Sequence, residues 1–107
     1  MRSGNIFANV LEKLDEEQFL TLLSSPQVKI ERIVSTRHAS PPGFWFDQQW
    51  TEWVIVLSGS AGLRIESEDA TRTLRPGDYV DLPAHTKHRI EWTDADRPTV
   101  WLAVHLV

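Results

Sequence analysis

Two residues in this chain carry chemistry at the head of otherwise apolar runs: Glu52 in "EWVIVLSG" and His88 in "HRIEW". Side chains on a strand alternate between faces, so Glu52 shares a face with Val54 and Val56, and His88 with Ile90 and Trp92. Both are expected to point inward. A carboxylate against an apolar layer is costly unless a cation or several hydrogen-bond donors compensate it. A divalent iron, manganese, nickel or zinc ion held by one imidazole and one carboxylate would do so, with Gln48 or Asp47 adding an oxygen from just before the Glu52 strand. Such an ion supports Lewis-acid or oxygen chemistry on a small acid or sugar-like molecule. The competing arrangements are structural. Glu52 would then be bonded to an inward arginine or a backbone amide, and His88 would be a core histidine held by a carbonyl.

Four residues are candidate ligand contacts: Phe46, His85 and His105, and again Asp47. His85 sits in the turn "PAHT", from which a side chain can reach the mouth of a pocket. His105 lies on the last strand in the phase of Trp101 and Ala103, but both faces of that strand are apolar, so alternation leaves its direction open. The five tryptophans are expected in the core or at an interface rather than stacked on a ligand, with Trp53 outward and nearest to an interface. Arg64 and Arg89 fall in outward phase and read as solubilising.

The elements that must position these groups are mostly strands. Turn chemistry recurs at "SPPG", "SGSAG", "ESEDA", "RPGD", "PAHT" and "DADRP", with β-prone stretches between. Evenly spaced short strands without intervening helices predict an antiparallel β-sandwich or barrel. One helix is expected ahead of it. Asp15 with Gln18 three residues later has capping-box spacing, and Phe19, Leu20, Leu22 and Leu23 supply an apolar stripe, which predicts a helix from Glu16 to Ser24 that Pro26 ends. The run "VKIERIV" then reads as a strand with Val28 and Ile30 on one face and a phase slip before Ile33. The expected division is a helical N-terminal segment over residues 1–27 and a β-barrel over 28–107, forming one domain overall.

Two of these segments resemble the paired motifs of the cupin superfamily, in its small single-domain form with one conserved barrel. Glu52 followed by six residues and Gly59 matches the end of the first motif, and Gly77, Pro83 and His88 match the second at full spacing. The resemblance covers roughly residues 40 to 107. It implies a jelly-roll β-barrel, and for the metal-binding members a cation held by two histidines and a glutamate of the first motif and a histidine of the second. Glu52 and His88 fall on two of those positions. At the histidine pair stand Phe46 and Gln48 or, with one more residue in the spacer, Trp45 and Asp47. His85 replaces the second motif's internal glycine.

Composition narrows the partners. With 107 residues the chain suits one compact domain, and its net charge of −4 with scattered lysines and arginines offers no basic stripe for nucleic acid. The absence of cysteine removes thiolate metal sites and disulfides, in keeping with a cytoplasmic location. No run has membrane-spanning length. The strands "WVIVL" and "VWLAV" are apolar at every position, as strands covered on both faces are, and a second subunit is the economical cover, so a homodimer is expected. The functional expectation is a small-molecule-binding cupin of unassigned reaction, possessing a divalent metal if Glu52 and His88 hold one with Gln48 or Asp47. The alternatives are a non-catalytic binding or sensing module and a metal-free sugar isomerase or epimerase. The only tyrosine, Tyr79, lies in outward phase, which weighs against an epimerase that needs an inward tyrosine.

Overall fold

The structure, a computed structural model, describes residues 1–107. Eight strands follow one another: β1 Gln18–Ser24, β2 Val28–Ser35, β3 Thr51–Ser58, β4 Ala61–Ile65, β5 Arg72–Leu74, β6 Tyr79–Leu82, β7 His88–Thr93 and β8 Thr99–Leu106. They form a five-stranded sheet in the order β1-β2-β8-β3-β6 and a three-stranded sheet in the order β5-β4-β7. Every pairing is antiparallel. The inner faces meet in a core of Val54, Val56, Ala61, Leu63, Ile65, Leu74, Val80, Leu82, Trp101 and Ala103. These are the inward-phase residues of β3, β4, β5, β6 and β8, so simple alternation builds most of the core.

The chain moves between sheets at turns that need special backbone. Between β3 and β4 it crosses at Gly59, with φ of +79°. A Cβ there would stand 2.6 Å from the Thr99 hydroxyl and 2.7 Å from the Pro98 carbonyl oxygen, so only glycine fits. Between β5 and β6 it returns at "RPGD", where Asp78 accepts a hydrogen bond from the Arg75 N–H at 2.8 Å. Between β6 and β7 it crosses once more through "PAHTK". These crossings put His88 on the small sheet and Glu52 on the large one, facing each other across the sandwich.

Three expectations are corrected. No helix forms over 16–24; Gln18–Ser24 is β1, the edge strand of the large sheet, so the sheet begins ahead of residue 28. Pairing with β2 overrides the capping signal, and Phe19, Leu20, Leu22 and Leu23, which mimic a helical stripe, are all exposed apolar residues of an edge strand with a register shift between Thr21 and Leu23. The phase slip in β2 is also absent. Glu31, Ile33 and Ser35 face inward in register with Ala103, Trp101 and Thr99, while Ile30, Arg32 and Val34 face outward. Finally, a register shift between Gly62 and Leu63 bulges β7, so Thr93 is buried and Trp92 turns outward. Its indole covers Gly62, where an added Cβ would lie 2.2 Å from Trp92 Nε1.

The outer face of the large sheet is covered in part by the chain's own N-terminal segment. Arg32, outward yet only 3% exposed, donates to the carbonyls of Ile6 and Ala8 and to the Gln18 side chain. The Leu14 N–H donates to Thr36 Oγ1. The segment thus runs along β2 across Val34 and Val100, both buried despite facing outward. Trp53, Ile55, Leu102 and Val104 on the same face are half-buried.

Candidate functional site

At one end of the sandwich the two sheets enclose a cavity of about 180 Å³, and ten of its eighteen lining residues are hydrophobic. Phe44, Phe46, Ile90 and Trp101 form its apolar walls, and Glu52, His88, His105, Glu31 and Gln48 its polar floor. Strand register explains the floor. Glu52 is the Cα partner of both Leu82 on β6 and His105 on β8, and Lys29 on β2 is the next partner of His105, so these groups share one rung of the large sheet. His88 comes from the opposite sheet as the first residue of β7, where it pairs with Ile65.

The segment before β3 is pinned to the start of β7. Phe46 and His88 exchange backbone hydrogen bonds at 2.7 and 3.1 Å, and the His85 N–H donates to the Gln48 carbonyl at 2.7 Å. This brings Phe46 and Gln48 to the cavity, and the Phe46 ring stacks on the His88 imidazole with centroids 5.3 Å apart.

Hydrogen bonds define what each histidine can do. The Nδ1 of His88 lies 2.8 Å from the Thr86 carbonyl oxygen, which can only accept, so Nδ1 carries a proton there. In the neutral ring that leaves the Nε2 lone pair free, 3.9 Å from Glu52 Oε1. His105 is different. Trp50 Nε1–H, a donor only, lies 2.8 Å from its Nδ1, so that nitrogen accepts, and Nε2–H donates to Glu31 Oε1 at 2.9 Å. Both of its nitrogens are occupied. Lys29 Nζ adds a contact to the other Glu31 oxygen at 3.4 Å. Glu52 is 8% exposed and His88 6%. Burial pushes the Glu52 carboxyl above its ordinary value of 4.5, against the opposing pull of His105, His88 and the Gln48 amide and with a contribution from Glu31 in the same direction as burial.

Phe46, Gln48, Glu52, His88 and His105 therefore line one cavity. Asp47 and His85 do not: they pair with each other at 2.9 Å, with side chains 42% and 65% exposed, outside the cavity wall. His85 holds φ of +62°, the left-handed conformation that a glycine in its place would adopt freely. Sequence reasoning missed Glu31 and Trp50. The signal for Glu31 was its phase with Ile33 and Ser35, obscured by the phase slip expected between Ile30 and Ile33. Nothing local marks Trp50, whose partner His105 lies 55 residues away.

The donor set fits a resident metal poorly. No group of three or more His, Asp and Glu side chains is arranged to hold an ion. His88 and Glu52 with the Gln48 amide give one nitrogen and two oxygens, His105 is committed to Trp50 and Glu31, and Phe46 covers one face of His88. Catalytic sites for zinc present three strong protein ligands.

The cupin domain profile matches residues 37–105. Among solved structures, the chain is 52% identical to a provisionally assigned mannose-6-phosphate isomerase from Ralstonia eutropha JMP134, with a TM-score of 0.97 and coverage of 99% of this chain and 98% of that one. A cupin superfamily protein from Desulfitobacterium hafniense DCB-2 shares the fold at 18% identity, with a TM-score of 0.78 over 100% of this chain and 93% of that one. The DMSP lyase DddQ from Ruegeria pomeroyi DSS-3 does so at 21% identity, with a TM-score of 0.72 over 99% of this chain and 51% of that one. No curated protein sequence matches. With the profile spanning most of the barrel and both motif remnants, Glu52 to Gly59 and Gly77 to His88, inside it, the chain belongs to the cupin family.

Proposed function

We propose that this cupin binds a small hydroxy-carbonyl compound in the cavity and moves a proton on it without a resident metal. The observation that carries the reading is the pair at the cavity floor: an unencumbered His88 Nε2 facing, at 3.9 Å, a carboxyl that burial favours in its protonated form. The His88 lone pair can take a proton and the Glu52 carboxyl can give one, the two roles that general acid–base chemistry requires. In the step envisaged, His88 Nε2 takes the proton from the carbon next to the carbonyl while Glu52 gives its proton to the carbonyl oxygen, leaving a neutral enediol. Return of the His88 proton to the neighbouring carbon, with Glu52 recovering one from the other oxygen, completes an isomerisation that balances in atoms and charge. Glu52 thus takes the part of the acid, since Tyr79 is 64% exposed on the outer face, tilted against Trp53. The similarity to the Ralstonia protein supports an isomerase.

The test is incubation in deuterium oxide with D-mannose, D-fructose, 2-hydroxyacetophenone and D-mannose 6-phosphate, following deuterium entry next to the carbonyl by NMR. Exchange above background that disappears in His88→Ala and Glu52→Gln is expected. Exchange no faster than in the His88→Ala variant for every compound rejects proton transfer and leaves a binding module.

A second reading, which the incomplete donor set favours less, follows from one imidazole, one carboxyl and one amide reaching the same cavity. A divalent iron, manganese, nickel or zinc ion would then rest on His88, Glu52 and Gln48. Elemental analysis of protein purified without nickel decides: stoichiometric metal selects this reading, and substoichiometric metal rejects it. We further infer a homodimer that covers Trp53, Ile55, Leu102 and Val104.

A further inference from the structure

The charge of the cavity wall points to a substrate class. Three carboxyl groups reach the wall, from Glu17, Glu31 and Glu52, and no lysine or arginine does. The nearby cations are held elsewhere. Arg89 donates to the carbonyls of Ser40, Pro41 and Phe44 on the outside of the loop that forms one wall. Arg32 faces the opposite side of the large sheet, bonded to Ile6 and Ala8. Arg64 is tied to the Glu68 carbonyl. Lys29 is half-exposed and sits against Glu31. Of the two imidazoles, His105 has both nitrogens bonded, and His88 turns a lone pair to the cavity.

An anion entering here would meet a lone pair, three carboxyl groups and aromatic faces, with no guanidinium or ammonium in the lining and the nearest ammonium, Lys29, already paired with Glu31. Phosphate sites are built the other way, from arginine forks, lysine or backbone N–H groups. The walls are apolar and aromatic, and Phe19 and Phe44 stand at the mouth, each partly exposed. Resting on the reading of the site above, we propose that the cavity takes a non-anionic, partly apolar hydroxy-carbonyl compound and rejects its phosphorylated and carboxylated counterparts. The activity in the Ralstonia protein's provisional name would therefore not transfer to this chain as a phosphosugar reaction.

The test uses matched probes and reads binding rather than turnover. The indole N–H signals of Trp50 and Trp101 report on the cavity floor and wall, and the full-length protein is titrated with 2-hydroxyacetophenone, its phosphate ester and mandelate. The neutral ketone is expected to bind near the millimolar level appropriate to a ligand of about ten heavy atoms, at least about tenfold tighter than either anion. Glu31→Gln and Glu17→Gln, made singly, should each narrow that ratio. Equal or tighter binding of the phosphate ester or mandelate overturns the proposal, as does the absence of any indole shift with the ketone at tens of millimolar. Selective binding of the ketone without deuterium exchange would retire proton transfer and leave the charge selectivity standing. Exchange seen only with mannose 6-phosphate would do the reverse.

Discussion

His88 and His85 lie three residues apart and do unequal work because of what their Nδ1 atoms meet. The His88 Nδ1 is held by the Thr86 carbonyl, so its Nε2 is aimed across the sandwich at Glu52, whereas the His85 Nδ1 meets Asp47 at the surface. Replacing His88 by alanine should abolish probe binding in the indole titration, and His85→Ala should weaken it at most several-fold, about 1 kcal/mol, as for loss of one supporting hydrogen bond. Equal losses would contradict the assignment. Stability separates His85 further: His85→Gly loses the Asp47 contact but relieves the left-handed backbone, so it should destabilise less than His85→Ala in urea unfolding. Glu52 makes a pH prediction. Its folded-state pKa is raised, so the folded protein keeps a proton over a range in which the unfolded chain has released it, and stability falls as pH rises from 4.5 through the folded-state value. Glu52→Gln removes that fall. Relative to the parent protein the variant should gain stability as pH rises above 4.5, and thermal unfolding curves that shift in parallel from there upward would rule the effect out.

At the scale of elements, the site depends on strands from two sheets meeting in fixed register, and the crossings fix that register. Gly59→Ala meets both a positive φ and a hard contact with Thr99 and Pro98, while Gly77→Ala meets a φ of +93° but open space. The first should cost about 3 kcal/mol or more in urea unfolding and the second about 1 to 2 kcal/mol. Similar losses at the two sites would mean that the contact at the β3–β4 crossing relaxes freely. The crossings and the core were legible because they rest on local signals: glycine with turn partners, strict alternation in β4 and β6, and the continuous apolar run of β3. The inward positions of Glu52 and His88 followed from the same alternation. What was not legible depends on partners. In β1 the neighbour β2 decides between strand and helix, and the bulge that turns Trp92 outward exists only in the pairing of β7 with β4. The chemistry of His105 is set by Trp50 and Glu31, which lie 55 and 74 residues from it in the chain, and no window of sequence contains all three.

The whole molecule has an outer sheet face with two kinds of cover. Along β2 the N-terminal segment is anchored by Arg32, whose guanidinium donates to the Ile6 and Ala8 carbonyls, and this part of the apolar face is closed within one chain. The apolar doubly covered strands read from the sequence are thus explained in part without a partner. The remainder, Trp53 and Ile55 on β3 with Leu102 and Val104 on β8, lies in adjacent register and stays half-exposed. Tyr79 extends it, its ring 5.5 Å from that of Trp53. A flat apolar surface on two central strands is self-complementary across a twofold axis, and a stable association requires each copy to bury about 800 Å². The prediction is a dimer of 12.3 kDa chains in sedimentation at micromolar concentration. Trp53→Arg replaces the indole by a charge at the centre of the proposed contact, where pairing with its cross-strand neighbour Asp81 does not repay the desolvation of both groups, so it should yield a monomer. Because Trp53 faces away from Glu52 and Val54, the variant should keep the indole shifts of Trp50 and Trp101 with 2-hydroxyacetophenone. A parent protein that sediments as a monomer, or a Trp53→Arg variant that stays dimeric, would move the contact off this face and leave the exposed edge strand β1 as the surface to examine.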